Sequence, residues 1–386
     1  MASIEYNLNE RVYGPDDARG GSGAGGNLRP AKSEETDMSK TMISVATLLA
    51  VAGASFAQDS QFLFTNQADP GIDGYLGGAH TRVIDVTNPG AFLAGIVQVG
   101  SSFYFNDGAA NFDPSLTSGL YRLDGAFGTP SITPVATGMP IENPIGLQWD
   151  AGRGNFITVN NPFSPGAGSV EGILGITPGG TVSTIFEQDL SIPRPRYQGA
   201  SRLAPEFGSD SYLVTSPNGS GAVVGPGELG TGSALFRINI DGSLSGSQEL
   251  VVDLADTAVT GLADPLLDTA GLAVNPNNGL VYLTDRNAGA IYEMTLDGSG
   301  AFDSIRLLVD GLNEPEEIQY DPFNDRLVFD ENFGSGLGRI SQVELDGSGV
   351  TVLVDGVDTR GIVIVPAPAS LALVALGGLA AVRRRR

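Results

Sequence analysis

The sequence predicts an all-β fold of six four-stranded sheets closed into a ring. Three observations predict it. A short strand ending in Asn, Asp or Ser recurs six times along the chain. The steps between those terminal residues (66, 107, 160, 216, 285 and 330) are 41, 53, 56, 69 and 45 residues. The apolar strand that precedes each later unit is missing before the first, and a matching strand closes the domain at its far end.

The elements follow in order. From the second unit on, each opens with a short apolar strand: GIVQVG (95–100), IGLQWD (145–150), GASRLAP (199–205), AGLAVNP (270–276) and EEIQYDP (316–322). Next come the six recurring strands, FLFTNQ (62–67), FYFNDG (103–108), FITVNN (156–161), YLVTSP (212–217), VYLTDR (281–286) and LVFDEN (327–332). Their β-branched and aromatic residues suit a pleated, buried surface, and their polar closers suit turns. TRVIDVT (81–87), GLYRLDG (119–125), GILGITPGG (172–180), ALFRINIDG (234–242), AIYEMTLDG (290–298) and GRISQVELDG (338–347) are the next strands, and five of the six run into a Gly-containing turn. Gly supplies the positive φ of a tight hairpin. Outer strands are SITPVAT (131–137), TVSTIFE (181–187), QELVVDL (248–254), IRLLVDG (305–311) and VTVLVDG (350–356), with only NPGAF (88–92) available to the first unit. The longest step holds NGSGAVVGPGELGTGS (218–233), which reads as a loop. Four strands every ~40–50 residues is the period of a β-propeller blade. RGIVIVP (360–366) completes the first blade, so the C-terminal strand joins the N-terminal blade and leaves no free edge. An open solenoid is the alternative, and the split first unit speaks for the ring.

Composition agrees. Gly numbers 54 and Pro 23 in 386 residues, and the net charge is −23. Between Gln58 and Val365 there are 12 Arg, no Lys and 37 acids, a balance of −25. A surface this acidic repels phosphate backbones and excludes nucleic acid as a partner, while it could attract divalent cations. Cys is absent, which excludes thiol catalysis, Cys-zinc sites and disulfides. A single histidine, His80 in the Gly-rich stretch YLGGAHTR, excludes multi-histidine metal sites and reads as a loop residue.

The ends read as addresses. Residues 1–37 are a disordered leader, or lie upstream of a true start at Met38. Residues 38–57 have the layout of a secretory signal peptide: Lys40, an apolar stretch from Ile43 to Ala54, and Ser55 and Ala57 before Gln58. The propeller is expected over 58–366 and a tail over 367–386, where a short apolar segment, Ala369 to Val382, gives a marginal transmembrane helix before four Arg.

Two resemblances rest on these residues. Val365-Pro366-Ala367-Pro368, the apolar segment and the Arg cluster resemble a PEP-CTERM sorting tail, with Ala367 where Glu is usual. That implies a bacterial protein, exosortase-type sorting machinery as a partner, and membrane contact only through the tail. The two units from 271 to 300 and from 313 to 349 resemble repeats of the YWTD (LDL-receptor class B) and NHL six-bladed propellers, with Tyr282-Leu283-Thr284-Asp285 where the family has Tyr-Trp-Thr-Asp. In that family such acids satisfy backbone N–H groups between blades, the role expected here for Asp107, Asp285 and Asp330.

The candidate site lies where the innermost strands begin, at one mouth of the central channel. Glu142-Asn143, Tyr197-Gln198, Asp268-Thr269, Glu316-Glu317 and Asp358-Thr359-Arg360 make an oxygen-rich ring there. Hard cations such as Ca²⁺ prefer such ligands, and Asn143, Asp268 and Glu316 are the ligands proposed if metal binds. A hydrated polar mouth is the other reading. Gluconolactonase-like propellers hold a divalent metal with a similar Glu/Asn/Asn/Asp set, without a residue-by-residue counterpart here. LDGSG at 296–300 and 345–349 lacks the alternating ligands of a Ca²⁺ loop and reads as a hairpin turn. Gly225 to Gly230 formally fits G-x-G-x-x-G but follows no strand-to-helix unit, so it is no nucleotide fingerprint. Trp149 reads as packing, and Arg194 and Arg196 as a solvated loop. The expected function is a non-catalytic binding or structural module on the bacterial cell surface, for polysaccharide or protein. The alternative is a divalent-metal-dependent lactonase- or esterase-like hydrolase working in the channel. A quinoprotein-type redox propeller fits poorly with one His and one Trp.

Overall fold

The computed structural model describes residues 59–87, 92–108, 116–162, 170–187, 202–217, 232–241, 243–332 and 337–366. The expected leader, signal peptide and sorting tail lie outside them, as do Tyr197-Gln198, Arg194, Arg196, Gly225 to Gly230 and most of the 218–233 loop. No helix among the described residues is long and apolar enough to cross a membrane.

Twenty-four strands form six four-stranded antiparallel sheets. Blade 1 holds β1 (Phe62–Asn66), β2 (Gly71–Leu76) and β3 (Ala79–Asp85). Blade 2 holds β4 (Leu93–Val99), β5 (Ser102–Asp107), β6 (Gly119–Asp124) and β7 (Ser131–Thr137). Blade 3 holds β8 (Pro144–Asp150), β9 (Asn155–Asn160), β10 (Gly172–Ile176) and β11 (Val182–Glu187). Blade 4 holds β12 (Leu203–Pro205), β13 (Tyr212–Ser216), β14 (Ala234–Ile240) and β15 (Gly246–Asp253). A helical turn, α1 (Thr257–Thr260), is capped by the Asp256 side chain and ended by Gly261 in the left-handed region. Blade 5 holds β16 (Thr269–Val274), β17 (Val281–Asp285), β18 (Ala290–Leu296) and β19 (Phe302–Val309). Blade 6 holds β20 (Pro315–Asp321), β21 (Arg326–Glu331), β22 (Gly338–Glu344) and β23 (Thr351–Val357). The last strand, β24 (Thr359–Ile364), is the inner strand of blade 1.

Closure therefore follows the sequence expectation. Phe62, Leu63 and Phe64 pair with Ile364, Val363 and Ile362. Backbone bonds from Gln67 N to Asp358 O (2.7 Å) and from Val365 N to Gln61 O (2.9 Å) extend the seam at both ends. Ser60 ties blade 1 to blade 6: its Oγ donates to Asp321 and its N to Gln342 Oε1.

Blade 1 differs from expectation in one respect. TRVIDVT is its outer strand, and GIDGYL, not singled out in the sequence, is the strand between. Gly71 and Gly74 give β2 low strand propensity, yet both are required. A Cβ on Gly71 would come within 2.8 Å of Ile84 O, and one on Gly74 within 2.9 Å of Leu63 Cδ2. The β2–β3 turn is Gly77-Gly78, both with positive φ. His80 is thus a strand residue of β3 rather than a loop residue; its Nε2 lies 3.1 Å from Asp73 Oδ2.

Among the described residues no hydrophobic cluster sits on the axis. Six hydrophobic clusters of described residues fill the six gaps between neighbouring blades. Strand period decides which gap a side chain enters. Phe62 and Phe64 face blade 6, and Leu63 between them faces blade 2. Tyr282 faces blade 6, while Val281 and Leu283 face blade 4. These second strands are buried on both faces, so they read as continuous apolar runs instead of alternating ones.

The repeated DGSG turn is structural. Asp297 Oδ1 accepts from Ser299 N, Ser299 Oγ and Ala301 N, and Asp241 Oδ1 accepts from Ser243 N, Ser243 Oγ and Ser245 N. Asp346 Oδ1 takes Ser348 N in blade 6. These bonds hold all three carboxyls below their ordinary pKa.

A chain ending at Asp358 lacks β24 and leaves β1 with an open inner edge. It is expected to lose the single unfolding transition of the full chain and to bind an apolar dye, as read by thermal scans with dye fluorescence.

Candidate functional site

The six inner strands begin together at one mouth of the channel. A repeated device fixes their start. The inner strand bulges against its neighbour between Leu93 and Ile96, Pro144 and Leu147, Thr269 and Leu272, and Pro315 and Ile318. The N–H groups around these strand starts, just before the first paired residue or, in blade 6, inside the bulge, need acceptors. A residue at or next to the end of the second strand supplies one. Asp107 Oδ1 accepts from Phe92 N (3.0 Å), Asn160 Oδ1 from Glu142 N and Asn143 N (3.1 Å each), and Asp285 Oδ2 from Asp268 N (3.0 Å). Asp330 Oδ1 accepts from Glu316 N (3.1 Å) and Glu317 N (2.5 Å).

This corrects the expected role of Asp107, Asp285 and Asp330. Each serves the inner strand of its own blade. The residue just before or near it makes the link between blades: Thr284 Oγ1 donates to Glu316 O (3.1 Å), Thr215 Oγ1 to Ala270 O (3.0 Å), and Asn106 Nδ2 to Thr158 Oγ1 (3.0 Å). A carboxylate only accepts, so it matches two nearby backbone donors; a hydroxyl also donates and can reach a neighbouring carbonyl.

Three guanidinium groups of the described residues occupy the mouth. Arg360 of blade 1 bonds Glu316 of blade 6. Arg286 holds Asp268 in a fork, Nη2 to Oδ1 at 2.6 Å and Nε to Oδ2 at 3.0 Å, and its Nη1 lies 3.8 Å from Glu316. Arg202, just before β12, bonds Glu317 of blade 6 and donates from Nη2 to Arg360 O (3.0 Å) in blade 1. Inner strands of successive blades lie side by side around the axis, so blades 4 and 1 are opposite one another. Arg202 therefore crosses the channel.

The electrostatics follow from this placement. Burial alone would raise Glu316, but Arg360, Arg202 and Arg286 together hold it below the usual carboxylate range. Burial raises Glu317 against the single guanidinium of Arg202. Burial raises Asp330 well above its ordinary value, with the charges of Glu316 and Glu317 adding to the shift. Asp285 and Asp358 are also raised by burial.

The structure places the three proposed metal ligands as follows. Asp268 and Glu316 come together through Arg286. Asn143, in blade 3, donates from Nδ2 to Asn161 O (2.7 Å), and its buried Oδ1 has no hydrogen-bond partner among the described residues. The set does not fit a divalent cation as it stands, because guanidinium groups occupy both carboxylates. Among the described residues no group of three or more His, Asp or Glu could hold a metal ion. In the sequence Arg202 falls within the strand GASRLAP and Arg286 closes VYLTDR as a turn residue. The signal that could have found Arg202 is its place immediately before an inner strand, matching Asn143 and Asp268.

Two predictions follow from the mouth. Arg202→Ala leaves buried Glu317 uncompensated and should cost roughly 3–5 kcal/mol in urea unfolding, whereas Arg202→Met with Glu317→Leu should cost less. A carboxyl with a raised native pKa binds its proton more tightly folded than unfolded, so it loses stability as pH rises past the unfolded value. Asp330→Asn keeps the acceptor, as Asn160 does in blade 3, and removes that loss. Its unfolding midpoint should exceed the parent's at about pH 8 and match it more closely at about pH 3.

Comparisons with known proteins bear on the fold. No protein-family profile matches the chain, and no curated protein is significantly similar to it in sequence. Among solved structures, a chain of the nidogen/laminin complex is 12% identical with a TM-score of 0.54, covering 80% of this chain and 99% of that one. TolB from Acinetobacter baumannii is 13% identical with a TM-score of 0.52, covering 88% and 75%. A putative gluconolactonase is 14% identical with a TM-score of 0.49, covering 72% and 83%. At these identities the likeness to the first two concerns the fold alone: six four-stranded antiparallel blades in a ring, a β-propeller.

Proposed function

We propose that this chain is an exported bacterial cell-surface β-propeller whose ring is a non-catalytic binding or structural module for glycan or protein. One observation carries the reading. Arg202 crosses the channel mouth, and Arg286 and Arg360 neutralise the acids beside it. A metal hydrolase needs an open coordination position and a carboxylate free to act as base. Here Asp268, Glu316 and Glu317 are spent on Arg286, Arg360 and Arg202, which suits a rigid scaffold that presents its loops and faces to a partner. Export and surface attachment rest on the signal layout at 38–57 and the sorting-tail layout at 367–386, with exosortase-type machinery as the processing partner.

The second reading is the divalent-metal-dependent lactonase- or esterase-like hydrolase. The partnerless Asn143 Oδ1 favours it, as a buried oxygen available to a hard cation such as Ca²⁺.

Thermal unfolding in EDTA and then in excess Ca²⁺ separates the two. A ligand of the native state alone must raise the midpoint. The binding-module reading expects no shift, and no turnover of lactones or esters with metal present. A raised midpoint that disappears in Asn143→Ala, together with turnover, would establish the hydrolase instead.

A further inference from the structure

We infer that a second cleft, on the face opposite the mouth and between blades 4 and 5, binds a neutral saccharide unit. This deepens the glycan-binding reading above and rests on it. The cleft encloses about 660 Å³, within the ~300–1,000 Å³ of small-molecule sites. It opens where β12 and β16 end, beside the paired strands β14 and β15, and where the β18–β19 hairpin turns.

Its walls are fixed. Arg237, from β14, is forked onto Glu206, with Nε to Oε2 at 2.7 Å and Nη2 to Oε1 at 2.5 Å. Nη2 also donates to Gly300 O (2.5 Å) in the neighbouring blade's hairpin, and Nη1 lies 3.1 Å from Glu249. The guanidinium thus staples the two blades and satisfies both glutamates. Gly300 has φ +82, and a Cβ there would come within 2.6 Å of Arg237 Nη2, so only glycine admits the contact.

Three features choose the ligand. The first is Phe207, 52% exposed in the turn after β12. Its ring is set against Gly279, where a Cβ would come within 2.8 Å of Cδ1. A half-exposed ring held by backbone offers its π-face to the weakly positive C–H groups of a sugar ring. The second is a pair of open amide donors. Asn239 accepts from Ser211 Oγ (2.8 Å) and Asn278 from Leu280 N (3.0 Å), each through Oδ1. Neither Nδ2 has a partner among the described residues, and both side chains line the cleft. Fixed carboxamides beside an aromatic ring suit hydroxyl groups, which both donate and accept. The third is charge. One guanidinium stands against Glu206, Glu249 and Asp297 in the lining, a balance that repels uronates, sulfates and phosphates. A cationic ligand is not favoured either, because Arg237 already occupies both glutamates and Asp297 Oδ1 serves three donors of its own turn.

The test titrates the full chain with neutral oligosaccharides of glucose, galactose, mannose and xylose, with an oligouronate, and with an oligolysine peptide. Calorimetry reads affinity, and thermal unfolding checks the fold of each variant. Phe207→Ala and Asn239→Ala change the cleft; Val350→Ala, exposed on blade 6, is the control. The expected result is binding of a neutral oligosaccharide that is roughly ten-fold weaker in Phe207→Ala, weaker in Asn239→Ala, and unchanged in Val350→Ala, with all midpoints preserved. Neutral sugar bound equally by a folded Phe207→Ala would overturn the cleft while leaving the glycan-binding reading in place. Binding of only the oligouronate or oligolysine would overturn the inferred chemistry. No saccharide binding by the folded parent would overturn this inference and the glycan arm of the proposed function together, leaving its protein-binding arm standing.

Discussion

Phe62 and Phe64 point into one gap between blades and Leu63 into the other. The same division recurs at Tyr282 against Val281 and Leu283, and at Val328 against Leu327 and Phe329. A second strand built this way has no solvent face. Each blade must find a neighbour on both sides, and only a closed ring gives every blade two. This constraint explains the split first blade. If the chain began with a complete blade and ended with another, the seam would rest on side-chain packing alone. Threading β24 onto β1 adds a backbone ladder, so the seam is held by hydrogen bonds as well as by side-chain packing.

The acidic balance must be managed inside such a fold. Where an inner strand starts, backbone N–H groups turn toward the second strand, and an oxygen at or next to that strand's end receives them. Asn160 does so without charge, whereas Asp285 and Asp330 do so as buried carboxyls whose ionisation is disfavoured. The mouth concentrates these acids because six strand starts meet there. Arg202, Arg286 and Arg360 supply the counter-charge, and a guanidinium suits the place since its planar fork meets two acceptors at once. The arginines are therefore first a consequence of how the inner strands begin. Their blocking of the channel follows from that.

Much of the ring was legible in the sequence because its signal is local and repeated. An apolar run, a turn residue, a second run and a Gly turn recur at blade spacing, and the terminal strand stands out by its displacement. GIDGYL escaped because its two glycines look like turn residues; the reason for them, the closeness of Ile84 O and Leu63, lies in neighbouring strands. The channel mouth was legible as a place but not as chemistry. Counting strand starts located Asp268, Glu316 and Asn143 correctly at one end of the ring. It could not reveal that Arg286 reaches back to Asp268, or that Arg202 reaches across the axis, since long side chains choose partners by geometry rather than by spacing. The cleft between blades 4 and 5 gave no sequence signal at all. Phe207, Arg237, Asn278 and Gly300 come from four separate segments and meet only in the folded ring.

The two faces of the ring thus carry different burdens. At the mouth, charges are buried, mutually paired and joined across blades, an arrangement whose disruption costs stability before it could change any reaction. At the opposite face, the Arg237 fork does a similar stapling job but lies to one side, leaving an aromatic ring and two carboxamides open beside it. A binding surface needs fixed walls and unspent polar groups together. The mouth has the walls but has spent most of its charged groups on one another, with Asn143 Oδ1 and Thr269 Oγ1 among the buried atoms left without a hydrogen-bond partner there among the described residues. The lateral cleft has both. A propeller that must remain stable without disulfides gains from separating the two tasks, because the strand starts can be locked by charge pairing while the far ends of the same blades stay free to vary with the ligand they meet.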